Sequence, residues 1–284
     1  AAENDGMSAA AANDFGRPPH QWLLGRLSAS RHVILSFVVL FAIWELGVHL
    51  FDVPSYLLPA PSLVWTEFST RWAYVLANTW VTASEIIVGY MVAVLVSVPL
   101  AIFVAYFPTM ERSVYPIIVF LQIVPKIAIA PLFIIWFGFG FTPKVLLVFL
   151  LSFFPIVVAS IAGFKSIDQE TMELARSTGA GPWMIFRKIR LPSALPQIFT
   201  GLKVAAALAS TAAVVAEFVA SDKGLGYLLL RYNGDLETPM VFATIIVLSI
   251  VGLIVYYAVE LIERLAIPWH VSQRNPSGGM QVTG

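Results

Sequence analysis

Six stretches of the chain stay apolar for about the length of a membrane-crossing helix, and charged residues bound most of them. A helix needs about 20 predominantly apolar residues to cross roughly 30 Å of hydrocarbon. Residues 33–50, 78–107, 115–137, 143–164, 195–220 and 239–266 meet that requirement closely enough to be read as spans. The first is too long and too late in the chain to be a signal-peptide core. The second is long enough to tilt. Pro125 and Pro131 interrupt the third, and Pro155 lies inside the fourth. Between the first two spans, residues 52–74 carry three prolines followed by Trp65, Phe68 and Trp72, a pattern that predicts a turn and then a helix lying at the membrane interface.

Composition sharpens this picture. Of 284 residues, 58% are hydrophobic and 12% charged, whereas soluble domains run at about 45–50% apolar and about 25% charged. Too few polar residues remain to cover a soluble fold of this size, so the chain belongs in lipid. Seventeen basic residues balance seventeen acidic ones, with no basic tail, which excludes a nucleic-acid binder. The absence of cysteine removes zinc–thiolate sites, thiol catalysis and iron–sulfur ligation. No histidine–glutamate metal spacing and no nucleophile elbow occurs, so no catalytic residue, metal or cofactor is expected.

Lys and Arg in short loops set the orientation. With the N-terminus inside, the inner segments hold Arg17, Arg26, Arg31, Arg112, Lys165, Arg176, Arg187, Lys188, Arg190, Arg264 and Arg274, eleven in all. The outer loops hold four: Arg71, Lys144, Lys223 and Arg231. Both termini are therefore expected in the cytoplasm. The organisation expected is a mobile segment 1–30, a membrane domain 31–267 and a cytoplasmic tail 268–284. The residues before Met7 are compatible with an expression remnant.

One loop is too elaborate to be a connector. Residues 165–196 are the most charge-dense part of the chain and carry two helix signals in series. Ser166 and Gln169 have the spacing of a capping box. Gly179 stands where a left-handed residue would end the first helix. Pro182 suits the first position of a second helix, which Leu191-Pro192 is expected to stop. Trp183, Phe186 and Ile189 recur at spacing three and share a face of that second helix.

These residues carry a resemblance. Glu173-Leu174-Ala175-Arg176-Ser177-Thr178-Gly179-Ala180, followed by Ile189-Arg190-Leu191-Pro192, resembles the "EAA" loop of permease subunits of ABC importers. Leu174 departs from the first Ala of that pattern. Over roughly residues 56–266, stretches such as Leu58-Pro59-Ala60-Pro61-Ser62, Trp136-Phe137-Gly138, Ala216-Glu217-Phe218 and Gly224-Leu225-Gly226 are similar to the nitrate/sulfonate/taurine permease group. Residues 125–132 and Glu85 resemble instead the branch that imports pyrimidine precursors, riboflavin or aromatic acids.

The resemblance implies an all-α, polytopic fold of six transmembrane helices, the type I ABC importer (MetI-like) permease fold. It implies a second copy of the chain, ABC ATPase subunits and an extracytoplasmic substrate-binding protein as partners. Glu173, Ala175, Gly179, Ala180, Trp183, Ile189, Leu191 and Pro192 are the residues it points to for coupling to the ATPase. No phosphate-binding Gly-x-x-x-x-Gly-Lys-Ser/Thr loop occurs in the chain, consistent with ATP being held by a separate subunit.

Charges within spans are costly unless they face the bundle interior or water. Glu85, Lys126, Lys203 and Glu217 are the clearest cases, with Glu45 and Glu260 in the first and last spans. One reading pairs the two inner glutamates with Lys126, Lys203, a helix terminus or backbone freed by proline. The other places Glu85, Gln122, Lys126, Trp136 and Glu217 along a translocation pathway, with Phe139 near its mouth. The small residues of 204–213 suit close packing against a helix of this chain or of a second copy. A proton-coupled secondary transporter using Glu85 or Glu217 is the competing class, and an energy-coupling subunit for a membrane-embedded vitamin binder is a third.

Overall fold

The structure, a computed structural model, describes residues 19–268, and helices are the only regular elements among them. In chain order they are α1 (Pro19–Leu50), α2 (Pro61–Tyr106), α3 (Pro108–Ile123), α4 (Ala130–Phe137), α5 (Phe141–Lys165), α6 (Gln169–Ser177), α7 (Pro182–Ile185), α8 (Leu191–Ala220), α9 (Leu225–Gly234) and α10 (Thr238–Ala266). A single 3-10 turn, Lys126–Ile129, precedes α4. The expected mobile segment and tail fall largely on residues 1–18 and 269–284, outside the described residues, while residues 19–30 belong to α1.

The chain divides into two compact units between Thr66 and Glu67. In the first, the chain reverses after α1 through Asp52, whose φ of 48° is left-handed. Glu45 accepts hydrogen bonds from the Ser62 amide (3.0 Å) and hydroxyl (2.6 Å), and it contacts His49 at 3.0 Å. The carboxylate thus satisfies an otherwise orphaned amide in the first turn of α2 and complements the helix dipole there.

In the second unit, α5 and α8 pack antiparallel through small residues. A Cβ at Gly163 would lie 2.8 Å from the Ala194 carbonyl, and one at Gly201 would lie 3.0 Å from the Pro155 carbonyl. Only glycine lets the two backbones approach this closely, which is how membrane helices gain dispersion energy without a hydrophobic driving force. Ala205, Ala206, Ala209, Ala212 and Ala213 are fully buried within the single chain. Gly252 of α10 approaches Ser210 of α8. Ala101 and Val104 of α2, Ile118 of α3 and Phe154, Val157 and Ile161 of α5 form one apolar core.

Four of the expected spans are continuous helices, but with different ends. The second is not preceded by a separate interfacial helix, because α2 runs unbroken over 46 residues. Nothing between Ser62 and Val98 breaks a helix, and Pro99 is tolerated inside it. Nor does the helix starting at Pro182 stop at Leu191-Pro192. It continues through a π-type turn, Phe186–Arg190, into α8. The wider turn sends the Leu191 amide to the Phe186 carbonyl, five residues back. That register accommodates a proline that has no amide to donate and would crowd an α-helical carbonyl.

The third expected span is broken. Pro125 holds Val124 in an extended conformation, with φ −58° and ψ 132°, and the chain turns by 81° between α3 and the segment Lys126–Phe137. The described apolar part of α1, Leu35–Leu50, is shorter than a usual span. Where six transmembrane helices were expected, the described residues therefore contain four long apolar helices, or five if the bent pair counts as one.

The capping box also differs. The Ser166 hydroxyl donates back to the Gly163 carbonyl at 2.9 Å, and α6 begins after Asp168. Gly179 does adopt φ +75° after α6, and Pro182 does open α7.

Candidate functional site: a buried charge cluster and an exposed helical loop

Asn78, Thr82 and Glu85 recur at four and three residues along α2, so they occupy one face of it. That face meets the end of α8 and the start of α9. The Gly224 amide donates to Asn78 Oδ1 and the Leu225 amide to Thr82 Oγ1, both at 2.7 Å. Thr82 Oγ1 donates in turn to Glu217 Oε1 at 2.7 Å, while the Gly226 amide donates to Glu217 Oε2. Helix α9 has no side-chain cap of its own. Its first amides are instead satisfied by two other helices, and an acidic group stands at its positive end.

Glycine is required at both ends of this arrangement. Gly224 has φ +108°, and a Cβ on Gly224 or Gly226 would collide with Glu217. Glu85, adjacent to Glu217, forms an ion pair with Lys144 in the first turn of α5. Lys144 Nζ also donates to Ser221 Oγ at 3.0 Å. Relative exposure is 0% for Glu85, 1% for Glu217 and 6% for Lys144, so this is a desolvated cluster in which pairing is obligatory. Lys144 also borders a cavity of about 580 Å³ lined by Phe139, Phe218 and Asp222.

Sequence reasoning brought Glu85 and Glu217 to the same region but missed their cationic neighbour. In the sequence Lys144, at the edge of the span 143–164, counts among the outer-loop charges. Lys126 and Lys203 are elsewhere. Lys126 donates to the Gln122 carbonyl at 2.7 Å and lies 4.7 Å from the centre of the Phe154 ring. Lys203 pairs with the buried Glu263 at 2.7 Å. Glu260 pairs with Arg264 one turn on. Trp136 is exposed, with its ring 6.1 Å from that of Phe133, and Phe139 is exposed as well.

The second feature is the loop after α5. Lys165 pairs with Glu111 at its start. In α6, Ala175 is buried while Glu173 and Leu174 are exposed. Gly179 then turns the chain toward α7. Trp183 is 72% exposed, yet its ring stacks on Phe186 at 5.7 Å, and Phe186 stacks on Phe164 of α5 at 6.2 Å. Ile189 is half-buried on the same face. An aromatic ladder thus leads from an exposed loop to the end of a span, and α7 runs directly into α8.

Known proteins share this build. A family model described as "Binding-protein-dependent transport system inner membrane component" matches residues 97–267. The chain belongs to this family. It is 35% identical over 244 residues to the riboflavin transport system permease protein of Chloroflexus aurantiacus, covering 84% of this chain and 90% of that one. It is 34% identical to the formylaminopyrimidine transport permease protein of Halalkalibacterium halodurans, covering 84% and 96%. The taurine transport system permease protein of Escherichia coli is 32% identical, with 86% and 93% covered. Among solved structures, the inward-facing MetNI methionine ABC transporter matches with a TM-score of 0.58 at 18% identity, over 69% of this chain and 97% of that one, and so shares the fold.

The chain is thus the membrane-crossing permease subunit of an ABC importer, in which ATP is hydrolysed on a separate subunit. Its family works with an ATPase and a substrate-binding protein. It is an inner-membrane family, in keeping with the long apolar helices of this chain. The secondary-transporter reading is not favoured.

Proposed function

We propose that the permease works as a homodimer with both termini in the cytoplasm, and that residues 165–192 dock on the ATPase. Glu173, Ala175, Gly179, Ala180, Trp183, Ile189, Leu191 and Pro192 form the coupling surface. The observation that carries this reading is the exposed Trp183 stacked through Phe186 on Phe164, because it joins the loop rigidly to α5. The unbroken run of helix from Pro182 into α8 adds a second rigid path. A push on the loop therefore moves the spans themselves. ATP binding and the loaded binding protein would each favour the outward-open state differentially, as any population shift requires.

Glu85, Gln122, Lys126, Trp136 and Glu217 are assigned to the translocation pathway and its gate. The substrate class supported by the relatives' names is a heteroaromatic solute of the flavin or pyrimidine type, with an organic sulfonate as the second reading. Co-purification with the ATPase tests the coupling assignment: Glu173→Arg and Gly179→Trp should each abolish the complex, and an undiminished complex would overturn it. Thermal-shift screening of the binding protein against flavins, pyrimidines, aromatic acids and sulfonates tests the substrate.

A further inference from the structure

A second cavity, of about 350 Å³, lies where the end of α2 meets α6 and α7. Two guanidiniums line it, Arg176 of α6 and Arg190 of the π-type turn, together with Tyr106 at the last position of α2. No carboxylate is among its lining residues. Among the described residues neither arginine forms an ion pair, and Arg190 instead lies over the Tyr106 ring, 5.7 Å from its centre. The rest of the wall is apolar, including Met172 and the buried Ile185. Two cations with no balancing anion in a recess of this size call for an anionic ligand, and a guanidinium fork matches phosphate oxygens well.

What adjoins the cavity decides which anion. Phe103 in the last turn of α2 and Phe107, which joins α2 to α3, are about half exposed with ring centres 5.0 Å apart, and Tyr106 packs edge-on against Phe107 at 5.6 Å. This aromatic surface lies at the end of a helix apolar enough to cross the membrane, and the cavity adjoins the same end, where a spanning helix would leave the hydrocarbon and meet the headgroups. A ligand with a phosphate at one end and hydrocarbon at the other would satisfy both surfaces at once. We propose that Arg176, Arg190 and Tyr106 form a binding site for the phosphodiester headgroup of an anionic phospholipid, whose acyl chain lies along Phe103 and Phe107. Basic pockets beside membrane helices recognise lipid headgroups by this logic. The site ties the lipid to α6 and to the turn before α8, so bound lipid would hold the exposed loop against the end of α2.

Native mass spectrometry of the purified transporter, with phosphatidylglycerol or phosphatidylcholine added, tests the site. Preferential retention of phosphatidylglycerol is expected. It should fall on the order of fivefold for each guanidinium removed, in Arg176→Gln and in Arg190→Gln. Arg190→Lys, which keeps the charge but loses the fork, should fall between the native protein and Arg190→Gln. The exposed pair Arg187→Gln/Lys188→Gln removes two charges outside the cavity, twice what either cavity variant removes, and should leave retention unchanged. Thermal unfolding of each variant in the same detergent separates lost lipid from lost fold. The proposal is overturned by equal retention of the two lipids, by an equal loss in the Arg187/Lys188 variant, or by inorganic phosphate displacing the lipid completely, which would make this a site for free phosphate. Because the readout is lipid retention, it is independent of whether the loop docks on an ATPase.

Discussion

Lys144 at the start of α5 and Glu85 midway along α2 form a buried ion pair, and Ser221 at the end of α8 accepts a further hydrogen bond from the same ammonium. Three helix segments distant in sequence are therefore tied at one point. Removing one partner leaves the other charge desolvated and unpaired, which is far costlier than removing both. Lys144→Met should destabilise the permease by on the order of 3 kcal/mol, read as a lowered midpoint of thermal unfolding in detergent. The double variant Lys144→Met/Glu85→Leu should recover most of that loss. A double variant as unstable as the sum of the singles would show the pair to be uncoupled.

Glu217 and the Gly224–Gly226 turn make a second test possible. Glu217→Ala removes the acceptor of the Gly226 amide and of the Thr82 hydroxyl, at a cost of about 1–3 kcal/mol for each buried group left unsatisfied. Amide hydrogen exchange at residues 224–228 should accelerate while that in α5 stays protected. Gly224→Ala should be at least as damaging, because its φ of +108° disfavours any side chain and the new Cβ meets Glu217.

Much of this site was legible in the sequence as separate fragments. Ala216-Glu217-Phe218 and Gly224-Leu225-Gly226 stood out individually, but only the fold shows that the first supplies the acceptor and the second the donors of one hydrogen-bonded corner. Glu85 and Glu217 were marked by their charge inside apolar runs. Lys144 was not, because a lysine at the edge of a span counts with the loop charges, and charge counting cannot see a long side chain turned inward. The helix stop expected at Leu191-Pro192 failed for a related reason. Proline disfavours the α-helical register at that point, a π-type turn relieves it, and the hydrophobic pattern does not distinguish the two. Gly179 and Pro182, whose demands are local backbone geometry, were read correctly.

That local geometry gives a prediction in which stability and coupling separate. Gly179 has φ +75°, and nothing lies within 4 Å of the position a Cβ would take. Gly179→Ala therefore meets no steric clash and carries only the conformational penalty, about 1–2 kcal/mol. That penalty should be relieved locally by fraying the end of α6 rather than by unfolding the spans. The unfolding midpoint of the membrane helices should stay within a degree or two of the native value (roughly, by the surface-loop expectation). Transport-coupled ATPase stimulation in reconstituted vesicles should fall severalfold. An equal loss of both would place Gly179 in the core of the fold instead of at a joint.

Trp183 sharpens the same distinction at a side chain. Its ring is 72% exposed and stacks on Phe186. In the isolated permease, Trp183→Ala removes one stacking contact and should cost no more than about 1 kcal/mol. At an interface, a large exposed aromatic beside charged residues has the character of a binding hot spot, where truncation costs about 2 kcal/mol or more. The variant should therefore fold and insert normally, yet bind the ATPase on the order of thirtyfold more weakly in a titration of the purified subunits. Phe186→Ala is the informative control. Phe186 is half-buried between Trp183 and Phe164, so its loss should lower stability and coupling together, and a Trp183→Ala variant that behaved in the same way would show the exposed ring to be part of the fold instead of the docking surface.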